Sequence, residues 1–231
     1  GNKGHLIEAV RKELNSLGFP DEQLMIGGLI VQTTLDKDAQ VAAEAAVFSQ
    51  APKKAPDNLH IGMVSIRPGT GEIVAMYGGK DYLQRQLNDA TQGITQAGST
   101  FKPFALIAAL EQGISLASIW NGDGPKIFDD GIGRPYEVSN YGDKSFGDLS
   151  LLKATASSIN TIYVPLGMKV GTDKVIDAAR RAGIPENIAM VSTPSVVLGV
   201  ASPRVIDVAN SFATFAANGV RAKPFMVKEV L

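Results

Sequence analysis

Apolar residues recur at helical spacing at the start of the chain: Leu6, Val10, Leu14 and Leu17 fall on one face and Gly18 ends the run. Residues 5–17 are therefore predicted to form a short amphipathic helix. After Gly27-Gly28 the run 29–34 reads as a strand, and Asp36 is placed to cap an Ala-rich helix over 37–48 whose face is Ala39, Ala42, Ala43, Ala46 and Val47. Two prolines in 51–56 break regular structure and predict a linker. The runs 59–66 and 72–77 flank Arg67-Pro68-Gly69-Thr70-Gly71, which predicts a β-hairpin because Pro and Gly supply the turn geometry. The apolar run 100–110, closed by Gly113, predicts a buried helix, whereas Gly, Asp, Asn and Pro dominate 120–146 and predict a long loop. Helices are expected at 149–157, 160–169, 173–182 (capped by Thr172, with Gly183 beyond) and 203–217 (opened by Ser202-Pro203, closed by Gly219). A last strand is expected at 225–231.

Early strands, a block of helices and a late strand point to a mixed α+β fold whose sheet is only partly present. The 231 residues are 45% hydrophobic, enough for one large domain or a domain plus an appendage, which argues against disorder. Lys plus Arg number 22 against 23 Asp plus Glu, with no basic cluster, which argues against nucleic acid as a partner. Without cysteine there is no disulfide framework, thiol nucleophile or Cys-ligated metal. No apolar run approaches the ~18 residues of a membrane helix, and the first residues lack the pattern of a signal peptide.

Candidate chemistry begins at Ser99-Thr100-Phe101-Lys102, following Gly98 at the start of the apolar helix. Positions i and i+3 share a helix face, so Lys102 can bring its amine to the Ser99 hydroxyl. A lysine whose pKa is lowered by burial can take the serine proton, and a helix N-terminus favours negative charge on an attacked carbonyl. With 15 Ser and 14 Lys, roughly one Ser-x-x-Lys is expected by chance. A second one, Ser150-Leu151-Leu152-Lys153, is explained by a helix cap and a solvent-facing lysine. What sets Ser99 apart is Ser158-Ile159-Asn160 at the junction of two predicted helices, where Ser158 could relay a proton and Asn160 hold Lys102 or a substrate amide. His5 and His60 are isolated and read as surface or strand-edge residues, without ligand spacing. Trp120, Tyr136 and Tyr141 either line a cleft or pack beneath the loop, and Gly78-Gly79-Lys80 lacks the pattern of a phosphate loop.

Several stretches in order resemble the transpeptidase domain of bifunctional (class A) penicillin-binding proteins. They are residues 28–40, Arg67-Pro-Gly-Thr-Gly-Glu-Ile-Val-Ala-Met76 with Tyr77-Gly-Gly79, Gln96-Ala-Gly-Ser-Thr-Phe-Lys-Pro-Phe104, Ser157-Ser-Ile-Asn160, Leu198-Gly-Val with Pro203, and Phe215-Ala-Ala-Asn-Gly219; Asn140-Tyr141 also lies in a family-like segment. The resemblance implies a penicillin-binding/serine β-lactamase-like fold, an antiparallel sheet packed with helices plus a helical subdomain. Residues 1–56 would be a lead-in of helix, strand and helix, and 57–231 the transpeptidase domain, incomplete at its C-terminus. It further implies Ser99 as acyl-enzyme nucleophile, Lys102 as general base, Ser158 as proton shuttle to a leaving D-alanine, and Asn160 as the group that positions Lys102 and substrate. The partners implied are peptidoglycan stem peptides and β-lactam antibiotics, with no metal or cofactor. The site would face outside the cytoplasmic membrane, anchored in the full-length protein.

The departure from the family pattern is the absence of Lys-Thr/Ser-Gly. Lys169-Val170-Gly171 is its nearest imitation, at a helix end too close to Asn160. The third-motif strand is therefore expected from a missing segment or a second chain. Hydrolysis by the same acyl-enzyme, as a D,D-carboxypeptidase or β-lactamase with Glu137 or Asp143 as base, is an alternative, and a non-catalytic penicillin-binding sensor or scaffold is another.

Overall fold

The structure, a computed structural model, describes residues 1–54, 56, 58–130 and 132–231. Elements in chain order are α1 (Lys3–Ser16), α2 (Asp21–Ile26), β1 (Val31–Thr33), α3 (Lys37–Gln50), β2 (Met63–Ile66) and β3 (Ile73–Tyr77). A 3-10 turn (Gly98–Phe101) leads into α4 (Lys102–Glu111), then β4 (Ile119–Asn121), β5 (Lys126–Asp129), β6 (Pro135–Val138) and β7 (Asp148–Ser150). The helices α5 (Leu151–Ala156), α6 (Asn160–Val170) and α7 (Thr172–Ala182) follow, then a 3-10 turn (Pro194–Leu198), α8 (Val205–Ala216) and β8 (Val227–Val230). The result is a mixed α+β fold whose named strands pair, among the described residues, as small antiparallel ladders: β1 with β8, β2 with β3, β4 with β7 and β5 with β6. No helix among the described residues is long and apolar enough to cross a membrane.

Two compact units make up the chain, Gly1–Ile94 with Arg204–Leu231 and Thr95–Pro203. In the first, Ile73, Met76, Ala90 and Met226 form a core against which Leu6, Val10, Leu35, Val64 and Ile206 pack. Along β3 the backbone groups left free by β2 meet side chains instead. Gln40 accepts from Met76 N–H and donates to Met76 O, each at 2.9 Å, and Asn2 accepts from Gly78 N–H at 3.0 Å. These contacts satisfy an edge that would otherwise be unpaired. As the pattern predicts, Asp36 caps α3 by accepting from Ala39 N–H at 2.8 Å.

His5 departs from the surface position expected of it. It is 1% exposed, its ring meets Tyr82 edge-on at 5.2 Å, and neither ring nitrogen has a hydrogen-bond partner among the described residues. Burial lowers its pKa and keeps it neutral. Its sequence environment shows only helix periodicity, not that the first turn of α1 is covered.

The second unit carries the predicted chemistry. Its α4 packs on α6 and α7, and α6 and α7 both pack on the turn 194–198. Small residues face the contact, Ala105, Ala108 and Ala109 on α4 and Ala178, Ala179 and Ala182 on α7, all buried, so the helices can approach closely. The 120–146 region is not a long loop, since β4 to β6 lie in or beside it. Its period-two pattern is hidden because the inward positions of β5 hold Lys126 and Phe128, and Gly-, Asp- and Pro-rich turns separate runs of only a few residues. Several boundaries also move. Residues 148–150 are strand and the helix starts at Leu151. Gly171, not Thr172, precedes α7. Arg204 caps α8 in a reciprocal contact with Asp207, with Ser202-Pro203 lying before it. The six-residue α2 is too short to show periodicity, and Ala55 of the predicted 51–56 linker lies outside the described residues.

One close backbone approach seats the turn that bears Ser99. Gly98 donates its N–H to Gly199 O at 3.0 Å, and a Cβ on Gly199, whose φ is +72°, would lie 2.1 Å from Gly98 O. Gly219, with φ +87°, has nothing within 4 Å of the same position. Gly199→Ala is expected to destabilise by about 2–3 kcal/mol through strain and overlap together. Gly219→Ala should cost only about 1 kcal/mol of backbone strain. Thermal melting checks the difference, with a larger fall in Tm for Gly199→Ala; equal falls would show that the approach tolerates a methyl group.

Candidate active site

Ser99 lies in the 3-10 turn and Lys102 is the first residue of α4, its N–H bonded to Ser99 O. The turn leaves Ser99 exposed while Lys102 is 3% exposed, so the amine is carried inward by a helix whose next eight residues are apolar. Phe101 and Phe104, packed edge-on at 4.7 Å, fill the space on either side of it in sequence.

The buried amine meets three acceptors: Ser158 O at 2.6 Å, Ser158 Oγ at 2.9 Å and Asn160 Oδ1 at 2.6 Å. That is one for each proton of an ammonium group. Beneath it lies the ring of the fully buried Tyr163, whose centroid is 5.6 Å from Nζ and whose hydroxyl is bonded to Thr155 Oγ1 at 2.7 Å. All of these partners are uncharged. Desolvation therefore dominates, and the Lys102 pKa is pushed down from 10.5 to about 8.

Ser158 presents both its carbonyl and its hydroxyl to one amine because its backbone is left-handed, with φ +52°. A non-glycine residue pays roughly 1–2 kcal/mol for that conformation. It joins α5 to α6, where Ile159, 1% exposed, is plugged into the core between two outward-facing polar residues. Asn160 opens α6 and is held from its other end, its Nδ2 donating to Ser139 O at 2.9 Å. Within α6, Pro165 cannot supply the N–H that would ordinarily reach Thr161 O, and Lys126 Nζ takes that place at 3.3 Å.

Lys102, Ser158 and Asn160 are thus brought into one hydrogen-bonded group. Ser99 stands one turn before Lys102, and among the described residues its hydroxyl makes no hydrogen bond to them. The other Ser-x-x-Lys behaves as expected, with Ser150 capping α5 and Lys153 exposed. Lys169 holds its amine 5.4 Å over the Trp120 ring at the far end of α6, and Tyr141 is exposed. Glu137 and Asp143 are exposed and bond to none of the four candidate residues, and His60 is exposed as anticipated. No cluster of His, Asp and Glu suited to a metal ion occurs among the described residues. The contacts that the motifs did not disclose are the Ser139 carbonyl on Asn160 and the Tyr163 ring beneath Lys102, with Asn140 bonding the backbone of Thr161, the next residue of α6. A backbone acceptor leaves no mark in a sequence, and Asn140 showed only as part of a family-like segment.

The family described as "Penicillin binding protein transpeptidase domain" matches residues 61–231. Penicillin-binding protein 1A of Mycobacterium tuberculosis is 37% identical over the whole of this chain, which covers 29% of that protein. Penicillin-binding protein 2D of Bacillus subtilis is 30% identical over 96% of the chain and 32% of its own length. The structure of PonA1 from Mycobacterium tuberculosis in complex with penicillin V superposes with a TM-score of 0.88 at 36% identity, covering all of this chain and 63% of that one. The chain therefore spans about a third of the curated relatives it matches. By the family match the chain belongs to the penicillin-binding protein transpeptidase domains, and its structural neighbours share the penicillin-binding/β-lactamase-like fold.

Proposed function

We propose that this chain carries the acylation centre of a D,D-transpeptidase that cross-links peptidoglycan stem peptides through Ser99 and is inhibited by β-lactams. The observation that carries this reading is a buried lysine amine, ringed by neutral acceptors, one helical turn after an exposed serine. The neutral Lys102 amine takes the Ser99 proton, and Oγ attacks the carbonyl of the penultimate D-alanine. The peptide C–N bond breaks, and the departing D-alanine amine takes up a proton delivered through Ser158. An amine of a neighbouring stem peptide then attacks the ester and gives a proton to the Lys102 amine, the C–Oγ bond breaks, and that proton passes to Oγ to restore the Ser99 hydroxyl. Ser158 suits the relay because a hydroxyl both donates and accepts: as Lys102 loses its proton, the serine can turn its own O–H toward the amine. A β-lactam follows the first half of this course, its ring amide opening on Ser99.

We propose residues 57–231 as part of the transpeptidase domain and 1–56 as its lead-in. The Lys-Thr/Ser-Gly strand would be supplied by residues outside this stretch, in a protein held at the outer face of the cytoplasmic membrane.

Two outcomes test the reading. Mass spectrometry after exposure of the full-length protein to penicillin is expected to show one adduct, on Ser99, absent in Ser99→Ala; an adduct on another residue would overturn the assignment. Its persistence over many minutes separates a transferase from a hydrolase that sheds it. Acylation should also depend on pH through Lys102. Below about 8 the amine is protonated and cannot accept the serine proton, so the rate constant rises as pH increases and levels off above that value. Lys102→Ala should lower the rate by about 10²–10⁴ and abolish that rise. A pH-independent rate in the unsubstituted protein would remove Lys102 as the base.

A further inference from the structure

We infer that Asn140 is a positioning residue for the acylation step: its buried amide fixes the Ser139 carbonyl, which orients the Asn160 amide and so holds the Lys102 amine. The inference rests on the acyl-enzyme reading above and concerns a residue to which that reading gives no part.

Asn140 is 5% exposed, and both its amide hydrogens and its amide oxygen are engaged. Nδ2 donates to Gly122 O at 3.0 Å and to Lys144 O at 2.8 Å, while Oδ1 accepts from Thr161 N–H at 3.1 Å and faces Thr161 Oγ1 at 3.2 Å. Thr161 Oγ1 also reaches Gly122 O at 3.0 Å. Three separate segments, those around residues 122, 144 and 161, thus converge on one side chain. Rotating the amide by half a turn would set its N–H groups against the Thr161 N–H, so its orientation is fixed.

The consequence passes through the peptide bond that joins residues 139 and 140. Ser139 O accepts from Asn160 Nδ2 at 2.9 Å. An asparagine amide has two nearly isosteric orientations, and only one places Oδ1 on Lys102, 2.6 Å from Nζ. The other would aim N–H donors at an ammonium group that has only donors. The Ser139 carbonyl selects between them, and Asn140 ties that carbonyl to the residue immediately following Asn160. Two hydrogen bonds thus join residues 139 and 140 to the start of α6, one from the Asn160 side chain to Ser139 O and one from Thr161 N–H to the Asn140 side chain.

The test is a double-mutant cycle read on acylation of the full-length protein by a fluorescent penicillin, with non-covalent affinity and the saturating rate constant measured separately. Asn140→Ala is expected to lower the saturating rate constant about tenfold, the equivalent of one lost hydrogen bond. In an Asn160→Ala background the same substitution should cost less than about twofold, because the group through which it acts is gone. Thr161→Val keeps the shape of its side chain and removes the hydroxyl that braces Asn140 and Gly122 O. It should show the same dependence on background with a smaller loss, and it decides the matter if Asn140→Ala does not fold. Equal losses in both backgrounds, or weaker binding with an unchanged rate constant, would overturn the inference. If wild-type label is found at Ser99 while the losses multiply, the acyl-enzyme reading stands and only the role of Asn140 falls; label away from Ser99 sinks the reading itself.

Discussion

A lysine amine removed from water has to find acceptors for its protons, and the arrangement of the second unit follows from how Lys102 finds three. Two come from Ser158 and one from Asn160, residues 56 and 58 positions further along the chain. To present them, the chain must turn sharply between α5 and α6, which it does by holding Ser158 in a left-handed conformation. It must also keep Ile159 in the core while its neighbours face the amine. The strain at Ser158, of the order of 1–2 kcal/mol, is set against the larger cost of an unpaired buried ammonium. Removing any one acceptor therefore disturbs both the conformation of the junction and the charge state of the lysine.

The scaffold that holds the two halves of this contact is made from ordinary parts. On one side α4 is anchored by buried alanines against α7 and by the turn at Gly98 against Gly199. On the other, α6 is fixed at its first residues by Asn140 and, below them, by Lys126, which fills the donor position vacated by Pro165. Neither set of contacts is reactive, yet each sets where a reactive atom stands. Small residues at helix contacts serve this end because they leave no long side chain free to shift.

Long periodic helices and the two motifs were legible in the sequence because each depends on residues close together in the chain. Helix α7 shows Val175, Ala178, Ala179 and Ala182 on one face, and Ser99-x-x-Lys102 needs only one helical turn. The strands between 119 and 150 were not legible. Each is three or four residues long, and β5 directs Lys126 inward, so alternation gives no apolar signal. His5 misled for a related reason: its burial depends on Tyr82, far along the chain. In the site, residue type disclosed Lys102, Ser158 and Asn160, whereas the Ser139 carbonyl is common to every amino acid and its role depends only on where the fold places it.

That every partner of Lys102 is neutral is a constraint on the chemistry as much as a description of it. A carboxylate at 2.6 Å would satisfy the amine equally well as a hydrogen-bond acceptor, but opposite charges in a poorly solvated site favour the charged forms of both groups. The lysine would then hold its proton to higher pH, and a smaller fraction of it would have a lone pair to offer a serine. An amide and a hydroxyl supply geometry without that charge, leaving desolvation as the prevailing influence, and the pKa settles at about 8. The site can thus hold its amine firmly and still allow it to give up a proton. A base needs both properties, and with an ionised partner they would exclude one another.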